Sequence, residues 1–133
     1  MRYDNARQKE QLERMRQLAK KNSCFFCLQN YLAVGASPAI KQFRCWYIKE
    51  NDFPYLGSTH HYLVVYKKHT TKPTRVSKTA WSELLKTIKW LEKYTRVSGY
   101  SVFVRSGDMQ FTGATIDHLH FHFIVGGPKK KGA

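Results

Sequence analysis

Three histidines alternate with apolar residues near the end of the chain, and this stretch constrains the fold more than any other. Residues 117–125 read Asp-His-Leu-His-Phe-His-Phe-Ile-Val. Successive side chains of a strand point to opposite faces, so His118, His120 and His122 are expected to share one face, with the apolar residues on the other. Histidine titrates near neutral pH, and a merely half-buried strand does not need three imidazoles. The pattern therefore predicts a chemical role for this face.

Length and charge narrow the class of protein. The chain has 133 residues, which predicts one domain that buries well over half of its unfolded surface. No apolar run is long enough to span a membrane, and the N-terminus is charged where a signal peptide would be apolar. We therefore expect a soluble, cytoplasmic protein with no membrane partner. The formal net charge of +14 favours nucleotides or nucleic acid as partners, although it also suits a purely solubilising role.

Hydrophobic spacing predicts the order of the main elements. An amphipathic helix is expected over residues 3–21, and a longer helix is expected from Ser77 to the Ser98-Gly99 pair. The expected strands are 43–49, 61–66, 100–105 and 118–125. The first two of these strands are expected to be neighbours in a hairpin-like pair, and residues 28–39 and 111–115 to be irregular.

This order favours an α+β domain, with a mainly antiparallel sheet of about five strands, the long helix and the N-terminal helix. Three segments are expected along the chain. They are a basic amphipathic helix (1–21), the folded domain (22–127) and a flexible basic tail (128–133).

A C-x-x-C turn suggests a metal site. Three cysteines cannot all pair within one chain, so reduced thiols are expected. A structural zinc needs four ligands, and no second C-x-x-C exists to complete Cys24 and Cys27, so histidines are expected to do so. His69 and one histidine of the triplet are the best candidates. A thioredoxin-like dithiol, without its usual βαβ context, and two small buried residues remain as alternatives.

The histidine triplet allows three interpretations. Alternate histidines on a strand can bind a catalytic zinc that activates water. They can instead supply a nucleophilic imidazole with neighbours that set its tautomer and stabilise developing charge. They can also be polar filler on a sheet face, which suits one histidine better than three.

Longer motifs resemble the histidine triad family. Residues 118–124 resemble its His-x-His-x-His-x-x signature, in which x is apolar. Residues 61–69 are similar to its Gly-His-x-Leu-Val-x-Pro-x-x-His segment, with His60 in place of Gly and Tyr66 in place of Pro. Two further runs, Asn-Asp-Phe-Pro-Tyr at 51–55 and Gly-Ala-Thr-Ile at 113–116, are similar to the diadenosine tetraphosphate phosphorylase and galactose-1-phosphate uridylyltransferase branches. The resemblance covers residues 24–126.

The resemblance implies a reaction and its central residues. In that family the middle histidine attacks the α-phosphorus of a nucleotide and forms a nucleotidyl-histidine intermediate. His120 is thereby expected as the nucleophile, and His122 as its partner at the phosphoryl oxygens. The implied substrates are dinucleoside polyphosphates or nucleoside phosphoramidates, with hydrolysis or nucleotidyl transfer as the outcome. The implied ligands of a structural Zn²⁺ are Cys24, Cys27, His69 and His118.

The resemblance also implies a set of substrate-binding residues. They are Asn51, Asp52, Arg105, Ser106, Gly113 and Thr115. Asn51 is expected to contact sugar or base, with Asp52 as the alternative. Gly113 would let backbone amides approach the α-phosphate, and Thr115 would add its hydroxyl. Ala114 replaces the Gln of typical hydrolases, and Arg105 and Ser106 lie where the family has a phosphate-contacting Asn.

Other functions and an assembly follow from the same resemblance. One alternative is a nucleic-acid-binding or end-processing module of the aprataxin type, in which the basic charge contacts phosphates. Another is a non-catalytic nucleotide-binding scaffold. Family members are commonly homodimers, and the aromatic residues of the long helix suit either an interface or the core.

Overall fold

A five-stranded antiparallel sheet backed by one long helix makes up the described part of the chain. The computed structural model describes residues 37–114 and 116–127, together with residues 9, 10 and 13. The elements in chain order are β1 Ala39–Gln42, β2 Trp46–Glu50, β3 Ser58–Tyr66, a 3-10 helix Pro73–Arg75, α1 Lys78–Thr95, β4 Ser101–Val104, α2 Met109–Thr112 and β5 His120–Gly126.

The sheet has the strand order β1-β2-β3-β5-β4, and every neighbouring pair is antiparallel. The predicted α+β class and the expected number of strands are therefore confirmed, as is the pairing of β2 with β3. The histidine strand β5 lies between β3 and β4, so a residue of β5 has cross-strand neighbours on both sides.

One face of the sheet packs against α1 to form the hydrophobic core. The Ser77 hydroxyl accepts a hydrogen bond from the Ala80 amide at 3.2 Å and so caps the start of α1. The Trp46 indole donates to the Ala80 carbonyl at 2.8 Å, which fixes the helix over β2. Leu91 is fully buried in this core, and burial of such a side chain stabilises the fold by about 1.5–3 kcal/mol. The sheet contributes the core side chains Trp46, Ile48, Tyr62, Val64, Tyr66, Phe121 and Phe123, and Leu119 just before β5 joins them.

Several predicted boundaries were wrong, and tertiary contacts explain the differences. Residues 28–39 were expected to be irregular, yet β1 begins at Ala39 because it pairs with the edge of β2. β3 begins at Ser58, three residues early, because its first residues already pair with β5. The α2 turn occupies part of a predicted loop, and the side chain of Asp108 caps its first amides.

The end of α1 differs from the expected Ser98-Gly99 stop. The helix ends at Thr95, and the C-cap residue Arg96 adopts a left-handed conformation with φ 54° and donates its amide to the Glu92 carbonyl at 2.9 Å. A left-handed residue after a helix is usually glycine, because a side chain is strained there. Arg96 therefore takes the position at which a glycine was expected.

Parts of the predicted domain division lie outside the described residues. Of the expected N-terminal helix, residues 9, 10 and 13 are described and are helical. Cys24, Cys27, Thr115 and the tail from residue 128 are not described, so the three-segment division stays a prediction. No helix in the described ranges combines the length and apolar character needed to cross a bilayer.

Candidate active site

The sheet face opposite α1 carries three buried histidines from two neighbouring strands. His61 on β3 is 5% exposed, and His120 and His122 on β5 are 8% and 5% exposed. In the β3–β5 register Leu63 faces His122 and Val65 faces His120. Because residues two apart share a face, His61 lies diagonally across from His122. The pairing of β3 with β5 therefore assembles a histidine cluster that neither strand contains alone.

The protonation of His120 follows from its backbone contact. Its Nδ1 lies 2.7 Å from the carbonyl oxygen of His118. A carbonyl can only accept, so Nδ1 carries the proton and Nε2 keeps its lone pair. Burial lowers the pKa of His120 to about 4, with smaller contributions from neighbouring cations such as Arg105. At neutral pH the ring is thus uncharged, with Nε2 able to act as a nucleophile.

A chain of hydrogen bonds sets the tautomer of His122. The Tyr55 amide donates to His61 Nδ1 at 3.2 Å, so the proton of a neutral His61 is on Nε2. That Nε2 lies 2.9 Å from His122 Nδ1, which must then accept. His122 consequently carries its proton on Nε2 and can donate it to an oxygen of a bound anion. The backbone amide of Tyr55 therefore determines, through His61, which nitrogen of His122 carries the proton.

Aromatic rings hold His122 in place. Phe103, its cross-strand partner on β4, stacks on it with a centroid distance of 4.5 Å and an interplanar angle of 6°. The Tyr55 ring stacks at 5.9 Å and 29°. These contacts restrict rotation of the imidazole, so its donor has a defined direction.

His118 is not part of the strand, contrary to prediction. β5 begins at His120, because the Leu119 amide donates to the Thr70 carbonyl at 2.7 Å rather than continuing the ladder. His118 is instead directed to the Tyr66 carbonyl, 2.6 Å from its Nε2. The expected shared face of all three histidines thus holds for His120 and His122 only.

His118 and His69 form a pair that fits a metal. The bond to Tyr66 places the proton of His118 on Nε2, so its Nδ1 lone pair points towards His69 Nδ1, 3.2 Å away. Two nitrogens bound tetrahedrally to one zinc, at about 2.05 Å each, lie about 3.3 Å apart. Burial lowers the pKa of His118, which favours the neutral form that binds metal. Within the described ranges no group of three or more ligand-type residues converges, and the two predicted cysteine ligands lie outside them.

Asn51 and Asp52 are both engaged within the protein. Asn51 Oδ1 accepts from the Phe53 amide at 3.0 Å, and its Nδ2 lies 3.4 Å from Nδ1 of His61, which accepts. Asp52 accepts from Lys49 Nζ and from the Ser37 amide, each at 2.9 Å. Their expected sugar contacts stay predictions, with Asn51 next to the histidine cluster and Asp52 in a buried ion pair.

The phosphate-binding predictions fall on the loops around the cluster. Arg105 reaches from the end of β4 to two of them, with Nη1 donating to the Thr112 carbonyl at 2.5 Å and Nη2 to the Tyr55 hydroxyl at 2.8 Å. Gly113 ends α2 with φ 75°, a conformation that suits glycine. Ser106 is exposed. The expected roles of these residues in binding phosphate stay predictions.

Sequence reasoning missed three residues of this site. His61 and Tyr55 were noticed only as parts of longer motifs, and Phe103 was not singled out. His61 lies two residues before Leu63, the β3 residue that pairs with His122. Its position on the histidine face could therefore have been predicted if the register of β3 and β5 had been known. Nothing local marks Phe103, whose stacking depends on β4 pairing with β5.

Comparisons with known proteins agree with this architecture. The family model described as "HIT domain" matches residues 48–129. A histidine triad protein from Clostridium difficile has 24% identity and a TM-score of 0.60, covering 80% of this chain and 92% of that one. A histidine triad nucleotide-binding protein from Candida albicans has 23% identity and a TM-score of 0.61, with coverages of 81% and 85%.

Two further solved structures are similar. A HIT family hydrolase from Legionella pneumophila Philadelphia 1 has 21% identity and a TM-score of 0.63, covering 80% of this chain and 95% of that one. A Zn-bound histidine triad family protein from Mycobacterium smegmatis has 23% identity and a TM-score of 0.58, with coverages of 84% and 78%. These likenesses show the shared fold. No curated protein sequence matches the chain.

Proposed function

The chain belongs to the HIT domain family, and from that premise we propose that it cleaves or transfers at the α-phosphate of a nucleotide derivative through a nucleotidyl-histidine intermediate. The observation that carries the proposal is the neutral His120, whose Nδ1 proton is held by the His118 carbonyl so that Nε2 is a nucleophile. Dinucleoside polyphosphates and nucleoside phosphoramidates are the proposed substrates. Similarity to the HIT family hydrolase from Legionella pneumophila supports the reaction class.

The proposed reaction has two steps. His120 Nε2 attacks the α-phosphorus, a P–N bond forms, and the bond from phosphorus to the leaving group breaks, with its electron pair departing on that group. The ring is then substituted at Nε2 and protonated at Nδ1, and the His118 carbonyl stabilises the resulting positive charge. Water or another acceptor attacks the same phosphorus, and the P–N electrons return to Nε2. With water, the products are a nucleoside monophosphate, the leaving group and one proton, which is released to solvent when the leaving group is a phosphate and is taken up by the leaving group when it is an amine.

His122 is the proposed electrostatic partner. Its Nε2 proton, set by the chain from Tyr55 through His61, would donate to a non-bridging oxygen of the α-phosphate. A donor fixed before the reaction stabilises the charge that develops there without reorganising.

The remaining predicted contacts belong to the same proposal. Asn51 or Asp52 would contact the sugar, Ser106 and Thr115 would offer hydroxyls, and Gly113 would admit the phosphate near its backbone. The motifs at 51–55 and 113–116 are similar to those of the diadenosine tetraphosphate phosphorylase and galactose-1-phosphate uridylyltransferase branches, and they support a proposed relationship with these branches.

Replacing His120 by Asn tests the function directly. We expect turnover of the accepted substrate to disappear, together with the nucleotidyl adduct that mass spectrometry should find on His120 of the native protein. His60→Asn is the matched control, because His60 lies on β3 outside the proposed site. Unchanged turnover by the His120 variant would refute the mechanism.

A structural Zn²⁺ is proposed at Cys24, Cys27, His69 and His118. The 3.2 Å separation of the two histidine nitrogens supports it, as does the similarity to a Zn-bound neighbour. Bound there, the ion would hold the segment before β5 and so position the His118 carbonyl. We expect a chelator to lower the melting temperature of the purified protein before any other property changes. Metal analysis that finds no zinc after expression with zinc would exclude the site.

A nucleic-acid substrate is the second candidate, and one observation favours it. A cavity of about 340 Å³ is lined by Arg44, Lys67 and Lys68 beside the start of α1. Such a cluster suits a phosphate backbone. Steeply salt-dependent binding to DNA or RNA that weakens in Lys67→Gln/Lys68→Gln would support this candidate, whereas weak binding insensitive to these changes would exclude it.

A homodimer in a cytoplasmic setting is the proposed state of the protein. Trp81, Leu85 and Tyr94 on α1 are 42%, 56% and 53% exposed. Covering them would remove apolar surface from water. Size-exclusion chromatography with light scattering distinguishes a dimer from a monomer.

A further inference from the structure

Arg105 lies next to the nucleophile by the register of the sheet. Phe103 pairs with His122 and Val104 pairs with Phe121 on the β4–β5 edge. Continuing this antiparallel register by one residue places Arg105 opposite His120. Arg105 is two residues beyond Phe103 and therefore lies on the histidine face, where its guanidinium is 5.2 Å from the Phe103 ring centroid. The position brings a permanent positive charge to the side of the reacting imidazole.

Its guanidinium is anchored at two points and still has donors to offer. Nη1 donates to the Thr112 carbonyl on α2, and Nη2 donates to the Tyr55 hydroxyl on the loop between β2 and β3. Within the part of the chain that the structure describes, these contacts use two of the five N–H groups of a guanidinium, and three more remain for an anion. Because the side chain is half-buried and braced, those donors are positioned in advance. Such a group suits phosphate oxygens.

We propose that Arg105 determines leaving-group specificity, favouring substrates in which the α-phosphorus is bonded to a further phosphate. This inference rests on the proposed function. When that bond breaks, its electron pair departs on the bridging oxygen of a phosphate chain, and negative charge grows there. Arg105 donates to this chain and stabilises the charge as it forms. An amine that leaves from a phosphoramidate takes up a proton and becomes neutral or cationic, so the same cation gives it no assistance.

The experiment compares two substrates with a common nucleotidyl group. They are diadenosine tetraphosphate and adenosine 5′-phosphoramidate, with the guanosine pair used if the native enzyme prefers that base. For Arg105→Gln we expect kcat/KM on the tetraphosphate to fall about 10- to 100-fold, the value of a charge-assisted hydrogen bond. On the phosphoramidate we expect a change of less than about 3-fold, since that leaving group gains nothing from the cation.

Two further variants separate specificity from structure. Arg105→Lys keeps the charge and loses the planar fork, so we expect a partial loss of the tetraphosphate preference; this variant decides the question if Arg105→Gln does not fold. Arg75→Gln removes an equal charge from an exposed 3-10 turn and should leave both rates unchanged.

The outcomes are distinct. An equal loss of kcat/KM on both substrates would show that Arg105 only braces the two loops, and it would overturn the specificity role. No loss on either substrate would overturn that role as well. In both cases a nucleotidyl adduct on His120 would still support the proposed function. If the native enzyme forms no adduct on His120, the proposed function itself fails, and the inference fails with it.

Discussion

Replacing Asp52 by Asn will strongly destabilise the fold, because it removes the carboxylate that lies 2.9 Å from the ammonium of a buried lysine. The side chains of Lys49 and Asp52 are 0% and 9% exposed. Removing one member of a buried ion pair costs about 3–5 kcal/mol, and the Asn amide can keep part of the hydrogen bonding, so we expect about 3 kcal/mol. For 133 residues, an unfolding entropy of about 2.1 cal/mol/K per residue makes this a drop of about 11 °C in melting temperature.

Thermal and urea unfolding of three variants measure this effect. Glu50→Gln, which removes a negative charge from an exposed neighbouring position, is the control and should change stability by less than about 0.5 kcal/mol. Combining Asp52→Asn with Lys49→Met removes the buried charge as well and should recover about 2 kcal/mol of the loss. A loss below about 1 kcal/mol for Asp52→Asn, or a double variant no more stable than the single one, would refute the reasoning.

The same pair predicts a dependence of stability on pH. Burial raises the pKa of Asp52, but hydrogen bonds from Lys49 and the Ser37 amide, with the charge of Lys49, hold it below its ordinary value of 3.8. A depressed carboxyl pKa contributes stability that is present above the unfolded pKa and is lost as pH falls through the folded pKa. The native protein should therefore lose stability below about pH 4, and Asp52→Asn should lose less over that range. If the stability of the native protein and of Asp52→Asn fell equally with decreasing pH, this prediction would be contradicted.

Two further predictions concern the histidine chain and the end of α1. His61→Phe removes the donor to His122 Nδ1 and releases its tautomer, so kcat should fall about 10- to 100-fold with little change in KM; an unchanged kcat would show that the chain does not act in the reaction. Arg96→Gly relieves a left-handed residue and should stabilise the protein by about 0.5–1 kcal/mol in thermal melts, whereas Lys93→Gly inside the helix should destabilise it by about 1 kcal/mol. Equal destabilisation by both glycines would contradict the strain at Arg96.

The helix and the strands were predictable where the signal is local. The apolar spacing from Trp81 onward and the hydroxyl of Ser77 predicted α1 because both act within a few residues along the chain. β1 carries too weak a pattern by itself, and it exists because β2 offers an edge for it to pair with.

In the candidate site, too, some features were predictable from the local sequence and others depend on tertiary contacts. Alternation on β5 was enough to predict that His120 and His122 share a face, and a motif singled out His120 as the proposed nucleophile. The sequence pattern could not predict that His118 lies outside the strand. The reason is that the Leu119 amide donates a hydrogen bond to the Thr70 carbonyl, which is distant along the chain. Nor could it place His61 beside His122, since the register of β3 on β5 decides that contact.

The sequence by itself determined the types of the main elements, the face of β5 that carries His120 and His122, and the kinds of side chain available there. Only the tertiary structure decided which imidazole nitrogen of His61, His118 and His122 holds the proton, because a carbonyl and an amide from other parts of the chain impose those positions. It also decided that Arg105 is braced between Tyr55 and Thr112, because strand pairing and loop closure bring together residues that no local pattern links.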